Sequence, residues 1–405
     1  MIHPSFGGVG GGFWFLTLFA AEEIPAAMVT YVALLMLLQL GLAPAEATFL
    51  SALLFVPWML KSFIRPWVNR VGHFRQMVHL VEGLLFAALV LLAFAFKEGA
   101  IAVFFALLLV SLLCAWHELT ARMYYEGVLR PSFRRLFEVP KLAVSQMAVI
   151  FTYGALIFLV GMLEVFSRQI RYSWSLACYV AAGIFLLFVF LHLRTLVSSP
   201  SKGSVIDREQ TTAGRDGRML SVLLLFLLLL PQGLMFHARV LYLFDTVANG
   251  GLECTMQEIG FAQGTVGVIA FSIGIAFGRR KTFSNLFWPF AISLVLSPLV
   301  YLEMTIWPPQ SLWQLCLCTM SAQLLFGLGL GVCRLPISSI SGARYNSTVN
   351  MLQIPLVSAA LFLPMAVSGW MVERLGYDTY FLVNVLSAPL CLLGIYFLRR
   401  GLNSK

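Results

Sequence analysis

The chain is built from apolar runs of about twenty residues, and that repeat restricts its folding more than any other feature. A hydrocarbon core about 30 Å thick takes roughly 20 helical residues to cross. Backbone N–H and C=O groups inside it have no water to bond, so such runs become helices. On this rule twelve candidate spans lie at about 12–38, 46–65, 76–96, 100–120, 141–163, 173–194, 219–243, 257–278, 284–304, 311–333, 348–370 and 377–398. Composition agrees: 60% of the 405 residues are hydrophobic and 11% charged, against about half and about a quarter in soluble domains. The fold class this predicts is an all-α membrane protein with twelve transmembrane helices in the lipid bilayer.

The stretch from 56 to 76, VPWMLKSFIRPWVNRVGHFRQ, supplies the direction. It leaves an apolar run through Lys61, Arg65, Arg70 and Arg75, as a helix does when it exits on the cytoplasmic side. Alternating from there, the inner segments hold 22 Lys and Arg and the outer loops 4, with Arg239 left inside the seventh span. A missed or extra span in mid-chain would destroy that split, so both termini are expected in the cytoplasm. The net charge of +9 has the same origin. Its bases sit in short clusters with no basic arm, and no nucleic-acid partner is expected. The seven cysteines lie mostly inside apolar runs, with no disulfide framework or metal-ligand spacing. The opening MIHPSFGGVGGG lacks a basic n-region and a small-residue cleavage site, so no removable signal peptide is expected.

The longest hydrophilic stretch, 195–218, is rich in Ser, Gly and mixed charge, the composition of a mobile linker. It divides the chain into six-span halves, 1–194 and 219–405, around a central cytoplasmic loop. That is the architecture of the major facilitator superfamily, whose halves are structural repeats. The first span is interrupted by Glu22-Glu23-Ile24-Pro25 and the seventh by Pro231-Gln232-Gly233 at similar depth. Matching interruptions point to a midplane binding site, although Pro and Gly are also simply common in membrane helices.

Ionisable groups inside spans cost about 2.5–3.5 kcal/mol each on insertion scales. Glu22 and Glu23 are the most exposed to that argument. Burial of a carboxylate favours its protonated form, which makes one of them a candidate proton-coupling site; locking helices together is the alternative. Arg239 cannot shed its charge and needs an anion, either Glu22 or Glu23 across the cavity or a group on the solute, unless it snorkels to the outer interface. Lys61, Glu82 and His192 are expected near the interface. The Gly327–Gly331 run is expected to let helices approach closely.

No catalytic constellation is visible. His117-Glu118 lacks a second histidine four residues on, where Ala121 stands, so it is not a zinc-protease motif. There is no phosphate-binding glycine loop and no nucleophile elbow. A non-enzyme without cofactor is expected.

Several segments resemble AmpG-type muropeptide permeases, a family related to the acetyl-coenzyme A transporters. Pro57-Trp58-x-x-Lys61 followed by Arg65-Pro66-x-x-Asn69-Arg70 is similar to the signature that opens that family's first cytoplasmic loop. His117-Glu118 to Tyr125 looks like its fourth-helix segment, Ser368 to Tyr377 like the turn into its last helix, and Pro25 falls where the family often has Gly-x-Pro. Asn69 replaces the aspartate of the loop's Asp-Arg pair, Glu118 replaces the first fourth-helix aspartate, and Arg122 reverses the charge of the second. Arg122 is four residues from Glu118, one helical turn, and can pair with it.

The resemblance implies a proton-driven importer of anhydro-muropeptides from cell-wall turnover, in the inner membrane of a bacterium. Its partners would be the small-molecule solute and protons, and a monomer is expected. Glu22 or Glu23 would carry the proton, while Arg239, Gln232 and Gln323 would contact solute. Lys61, Asn69 and Arg70 would form a cytoplasmic gate, with His117, Glu118 and Arg122 as a charged cluster at the inner mouth. The alternatives are a transporter of another small amphipathic or anionic solute and a non-transporting membrane enzyme or scaffold.

Overall fold

The computed structural model describes residues 13–71, 73–128, 138–196, 215–279, 287–340 and 348–403. The chain's first twelve residues, most of the central loop and the basic residues Arg130, Arg134, Arg135, Lys202, Arg208, Arg280, Lys281 and Arg344 lie outside them.

Among the described residues every regular element is a helix. Ten spans follow one another: α1 (Trp14–Gln39), α2 (Pro44–Pro66), α3 (Phe74–Ala95), α4 (Ala100–Val128), α5 (Val139–Ser167), α6 (Ile170–Thr195), α7 (Leu223–Phe244), α8 (Met256–Gly278), α9 (Phe287–Ile306) and α10 (Leu312–Cys333). The eleventh apolar stretch, Ser358–Phe397, is 40 residues long. At 1.5 Å per residue it would reach about 60 Å, twice a hydrocarbon core. It does not run straight: Gly376 takes φ 73° and ψ 165°, a conformation open to glycine and strained for other residues. The chain turns there, so the stretch supplies two spans, α11 (358–375) and α12 (377–397), and the expected twelve helices are present.

Residues on α12 confirm the reversal. Tyr377 bonds Asp245 at the end of α7 (3.0 Å), Asn384 reaches the Pro231 carbonyl (3.2 Å) and Cys391 the Leu228 carbonyl (3.1 Å), so α12 descends antiparallel to α7. At the end expected to face outward, the loops are tied to one another. Trp174 donates to Gln39 (2.5 Å) and Arg171 to the Lys97 carbonyl (3.2 Å).

The distribution of side chains is inverted relative to a soluble protein. Phe105, Phe166, Leu187 and Phe190 stand on the outside, while Lys61, Glu82, His117, His192 and Arg239 are buried. With lipid as the solvent, apolar groups gain nothing by hiding, whereas charges must find partners within the bundle.

The six helices before residue 196 meet those after 215 along two seams. In the first, α2 lies against α11: the Ala45 N–H donates to Glu373 (2.9 Å) and the Gly369 N–H to Thr48 (3.2 Å). In the second, α5 crosses α8, with Ser272 donating to Gln146 at 3.0 Å. A Cβ on Gly264 of α8 would come within 2.6 Å of the Gly154 nitrogen of α5, so the helices touch backbone to backbone. The glycine run of α10 behaves as expected. Gly327 and Gly331 seat α10 on α8, and a Cβ on Gly329 would lie 2.7 Å from the Leu294 nitrogen of α9.

One expectation is corrected. Helix α7 runs through Pro231-Gln232-Gly233 without a break. Asn384 and Tyr380 of α12 donate to the carbonyls of Pro231 and Leu234 (3.2 and 2.7 Å), and Gly233 seats Pro364. Neighbouring helices satisfy the carbonyls around a membrane proline, which makes the Pro-Gly step a packing feature. In α1 a change of winding does follow Pro25, as a π-helical turn over Met28–Val32.

Candidate functional site

Three of the helices at the junction carry a π-helical turn: Met28–Val32 in α1, Ile150–Ala155 in α5 and Gly260–Gly267 in α8. Such turns insert a residue into the helical ladder and are frequent at functional sites. Each contributes a polar side chain to one region: Tyr31, Tyr153 and Gln263. Tyr31 and Tyr153 stack, with ring centroids 5.3 Å apart and planes 26° from parallel. Tyr153 and Gln263 are 2% exposed, and neither the Tyr153 hydroxyl nor Gln263 Oε1 has a hydrogen-bond partner.

Arg239 of α7 faces this region. It is 8% exposed, its guanidinium lies 5.3 Å from the Phe236 ring, and its Nε is unpartnered. Among the described residues no carboxylate forms an ion pair with it. The expected pairing with Glu22 or Glu23 is not made, and the reason is depth. Glu22 precedes Tyr31 by nine residues on α1, about 14 Å of helix. Tyr31 stands within reach of both charges, Glu23 on one side and Arg239 on the other. Snorkelling is also excluded by burial. Thr30, Tyr31, Tyr153, Phe236 and Arg239 line one tightly packed cleft.

Gln323 of α10 reaches the same region, its amide against the Tyr301 hydroxyl to which Gln263 Nε2 also donates (3.2 Å). Gln232 does not line the cleft. Its amide donates to the Leu294 carbonyl of α9 at 2.8 Å, a tie between helices.

A second polar cluster fills the helices before residue 196. Glu118 of α4 is buried and bonded three ways, to Lys61 Nζ, to Trp58 Nε1 (3.1 Å) and to Arg122 Nη2 (3.2 Å). Lys61 is 4% exposed, so it pairs inside the bundle where snorkelling to the interface was expected. Glu118 and Arg122 make the one-turn pair anticipated for them. Glu22 and Glu23 face this cluster: Glu118, Lys141, Arg122 and His117 surround Glu22, and Ser145 lies beside Glu23. Glu22 Oε2 is buried without a hydrogen-bond partner. Lys141 Nζ sits 3.6 Å over the Phe19 ring. Three carboxylates and three basic groups (Glu22, Glu23, Glu118; Lys61, Arg122, Lys141) are thus gathered in this cluster, whereas Arg239 has no carboxylate paired with it among the described residues.

Other expected groups divide. Arg70 is exposed at the end of the helix Lys61–Val71, on which Asn69 also lies; the Asn69 side chain is outside the described residues. His117 turns away from Glu118 toward Glu82, so the expected cluster of three at the inner mouth is split. Glu82 and His192, expected near the interface, are fully buried. The tyrosines and Gln263 carried no sequence signal, because a tyrosine in an apolar span reads equally as core or as interface.

No protein-family model matches the chain, and no curated protein matches it. Solved structures do. One is a bacterial homologue of the human lysosomal transporter Spinster, inward-facing and occupied, with TM-score 0.73 at 14% identity over 96% of both chains. The nucleoside transporter NupG matches with TM-score 0.67 at 12% identity, over 96% of this chain and 99% of its own. A structure described for substrate recognition in proton-dependent oligopeptide transporters matches with TM-score 0.70 at 12% identity, over 96% and 99%. At these identities the likeness is one of fold, and the fold is that of the major facilitator superfamily.

Proposed function

We propose that this chain is a secondary active transporter of a small amphipathic anion, working by alternating access between halves 1–194 and 219–405 joined by 195–218. The observation that carries this reading is Arg239: buried, permanently charged, without a carboxylate partner among the described residues, and set in an aromatic cleft where the halves meet. Holding a charge there costs about 2.5–3.5 kcal/mol on insertion scales, and a bound anion offsets that cost. The unpartnered Tyr153 hydroxyl and Gln263 Oε1 supply a donor and an acceptor, and the Tyr31–Tyr153 stack supplies an apolar face. The cleft is packed too tightly in this structure to admit a solute, so loading requires the halves to part.

Within this class the resemblance to AmpG-type permeases supports an anhydro-muropeptide as cargo. Its sugar ring suits the tyrosine stack, its carboxylate Arg239, and its amides Gln263 and Gln323. Glu22 and Glu23 are the proton-linked groups in this reading, with Lys61, Asn69, Arg70, Glu118 and Arg122 around the cytoplasmic gate. A solved neighbour on the same fold, described for substrate recognition in proton-dependent oligopeptide transporters, is a precedent for this reading. That cargo would place the protein in a bacterial inner membrane with both termini in the cytoplasm. A monomer without cofactor suffices, because one chain builds the cleft. The second reading, a different amphipathic anion, is favoured by Arg122, which reverses a family charge.

The test is uptake of labelled anhydro-muropeptide by cells expressing the chain, with and without a protonophore. Gradient-dependent uptake is expected. Arg239→Gln is expected to cost at least about 2 kcal/mol of binding, roughly thirtyfold in apparent affinity, with Arg239→Lys intermediate. Absence of uptake by folded protein would remove this cargo, and full uptake by Arg239→Gln would remove the site.

A further inference from the structure

Glu82 of α3 is fully buried, and imidazoles from three positions converge on it. His192 Nδ1 of α6 lies 2.6 Å from Glu82 Oε1, and His117 Nε2 of α4 lies 3.4 Å from the same oxygen. His79 Nδ1, one turn back on α3, lies 4.0 Å from Oε2. On the far side of His192, Nε2 is 3.0 Å from the Thr17 hydroxyl of α1. Glu82 Oε2 and His117 Nδ1 are buried with no hydrogen-bond partner. The charged or titratable groups that face the cluster are Arg75 and His79 from α3, His117 from α4 and His192 from α6; α1 contributes the neutral Thr17.

Counting protons fixes what this arrangement holds. The Thr17 hydroxyl donates to the Trp14 carbonyl at 2.8 Å, and a carbonyl can only accept. With its hydrogen on that carbonyl, Thr17 accepts from His192 Nε2; with it turned to Nε2, His192 donates from Nδ1 to Glu82 Oε1, and either way one proton lies between His192 and Glu82. A neutral His192 with its hydrogen on Nε2 presents a lone pair at Nδ1, facing a carboxylate oxygen that also has only lone pairs to offer. At 2.6 Å that pair needs one proton between them, carried either by the carboxyl or by an imidazolium. The same distance argues against a metal ion between them. Ligands bonded to an ion at about 2.0–2.1 Å sit roughly 3 Å or more from one another.

We propose that Glu82, His192 and His117 form a proton-binding site inside the first six helices, separate from Glu22 and Glu23. His79 Nδ1 and Nε2 are buried without a hydrogen-bond partner, as Glu82 Oε2 is, so the site is closed in this structure and a proton enters when the helices around it move. The free Glu82 Oε2 takes the added proton, and the proton shared at Oε1 then resides on His192 as imidazolium. The site gains one proton and one positive charge; release runs the same steps in reverse. The change is felt on α1 through Thr17, five residues before Glu22, and on α4 through His117, whose neighbour Glu118 holds Lys61 and Arg122.

The test needs no solute. Purified protein in phosphatidylcholine vesicles is stepped between about pH 8 and pH 5, the range in which histidine changes charge, and followed by infrared difference spectroscopy. Glu82→Gln is expected to delete one carboxyl band and, with it, an imidazole change. His192→Gln is expected to move the midpoint of that carboxyl band. A difference spectrum unchanged by Glu82→Gln overturns the proposal, as does a carboxyl band whose midpoint ignores His192. Should the variants fail to fold, the wild-type chain labelled with [15N]histidine decides by NMR. Its six histidines must include two that titrate with a common midpoint, and six independent titrations would overturn the site.

Discussion

Glu118 is claimed by Lys61, Arg122 and Trp58, and Glu23 has Ser145, but Glu22 keeps one oxygen without a partner. The unpartnered oxygen belongs to the group freest to change its protonation. Glu22→Gln, which cannot, is expected to abolish accumulation of solute against a gradient and to leave exchange across the membrane intact. Glu23→Gln keeps the Ser145 bond and is expected to do so less completely. Measuring accumulation and counterflow in the same vesicles separates the two effects, and full accumulation in both variants would take coupling away from this pair. Such residues stand out in the sequence because a charge in an apolar run is improbable without a reason. Their partners are less legible. Lys61, Glu82 and His192 each lie close enough to a span end to be read as interfacial, and only packing of α3, α4 and α6 shows them buried. Tyr31 and Tyr153 gave no sign at all, since hydropathy does not distinguish a tyrosine with a free hydroxyl from one that fills a gap.

The spans themselves were readable to within a few residues, because lipid imposes one length and one composition on every helix. Their local winding was not. The three π-helical turns that carry Tyr31, Tyr153 and Gln263 arise from packing between helices, and no periodicity in a uniformly apolar segment records an inserted residue. Pro231 misled for the same reason: its effect depends on whether α12 offers donors to the carbonyls around it, and it does. The turns on α5 and α8 meet at Gly154 and Gly264, so the shape of the cleft depends on that contact. A side chain at Gly264 would press on the Tyr153 carbonyl, which belongs to a backbone that cannot rotate away. Gly264→Val is therefore expected to cost about 1–3 kcal/mol, the usual penalty of overpacking, seen as a lower melting temperature in detergent. Gly183 on α6 has open space around it, and Gly183→Ala is expected to stabilise by about 0.5–1 kcal/mol through helix propensity alone. Equal effects at the two sites would mean that the α5–α8 contact is not tight.

At the scale of the whole molecule, alternating access requires the seam between α2 and α11 to open at the end where Ala45 meets Glu373. Both residues sit near the loops expected to face outward, so a covalent link there would hold the halves together on that side. Ala45→Cys with Glu373→Cys is expected to stop transport on oxidation and to recover on reduction, while each single variant transports in both conditions. The native cysteines do not confuse this readout. Six lie within the spans, and Cys254, in the loop between α7 and α8, is a poor nucleophile. Burial, helped by the negative charge of Glu258, pushes its thiol up to about 12. A thiol raised that far holds little thiolate at neutral pH, so maleimide labelling of the wild type is expected to be slow at pH 7 and to rise about tenfold per pH unit. Transport that continues with the crosslink formed, as judged by mobility on a non-reducing gel, would mean that this seam stays closed throughout the cycle. The halves would then have to part along α5 and α8 alone, where Gly154 and Gly264 hold the backbones in contact. A rocking motion could not clear the Arg239 cleft from that side without breaking the contact that shapes it.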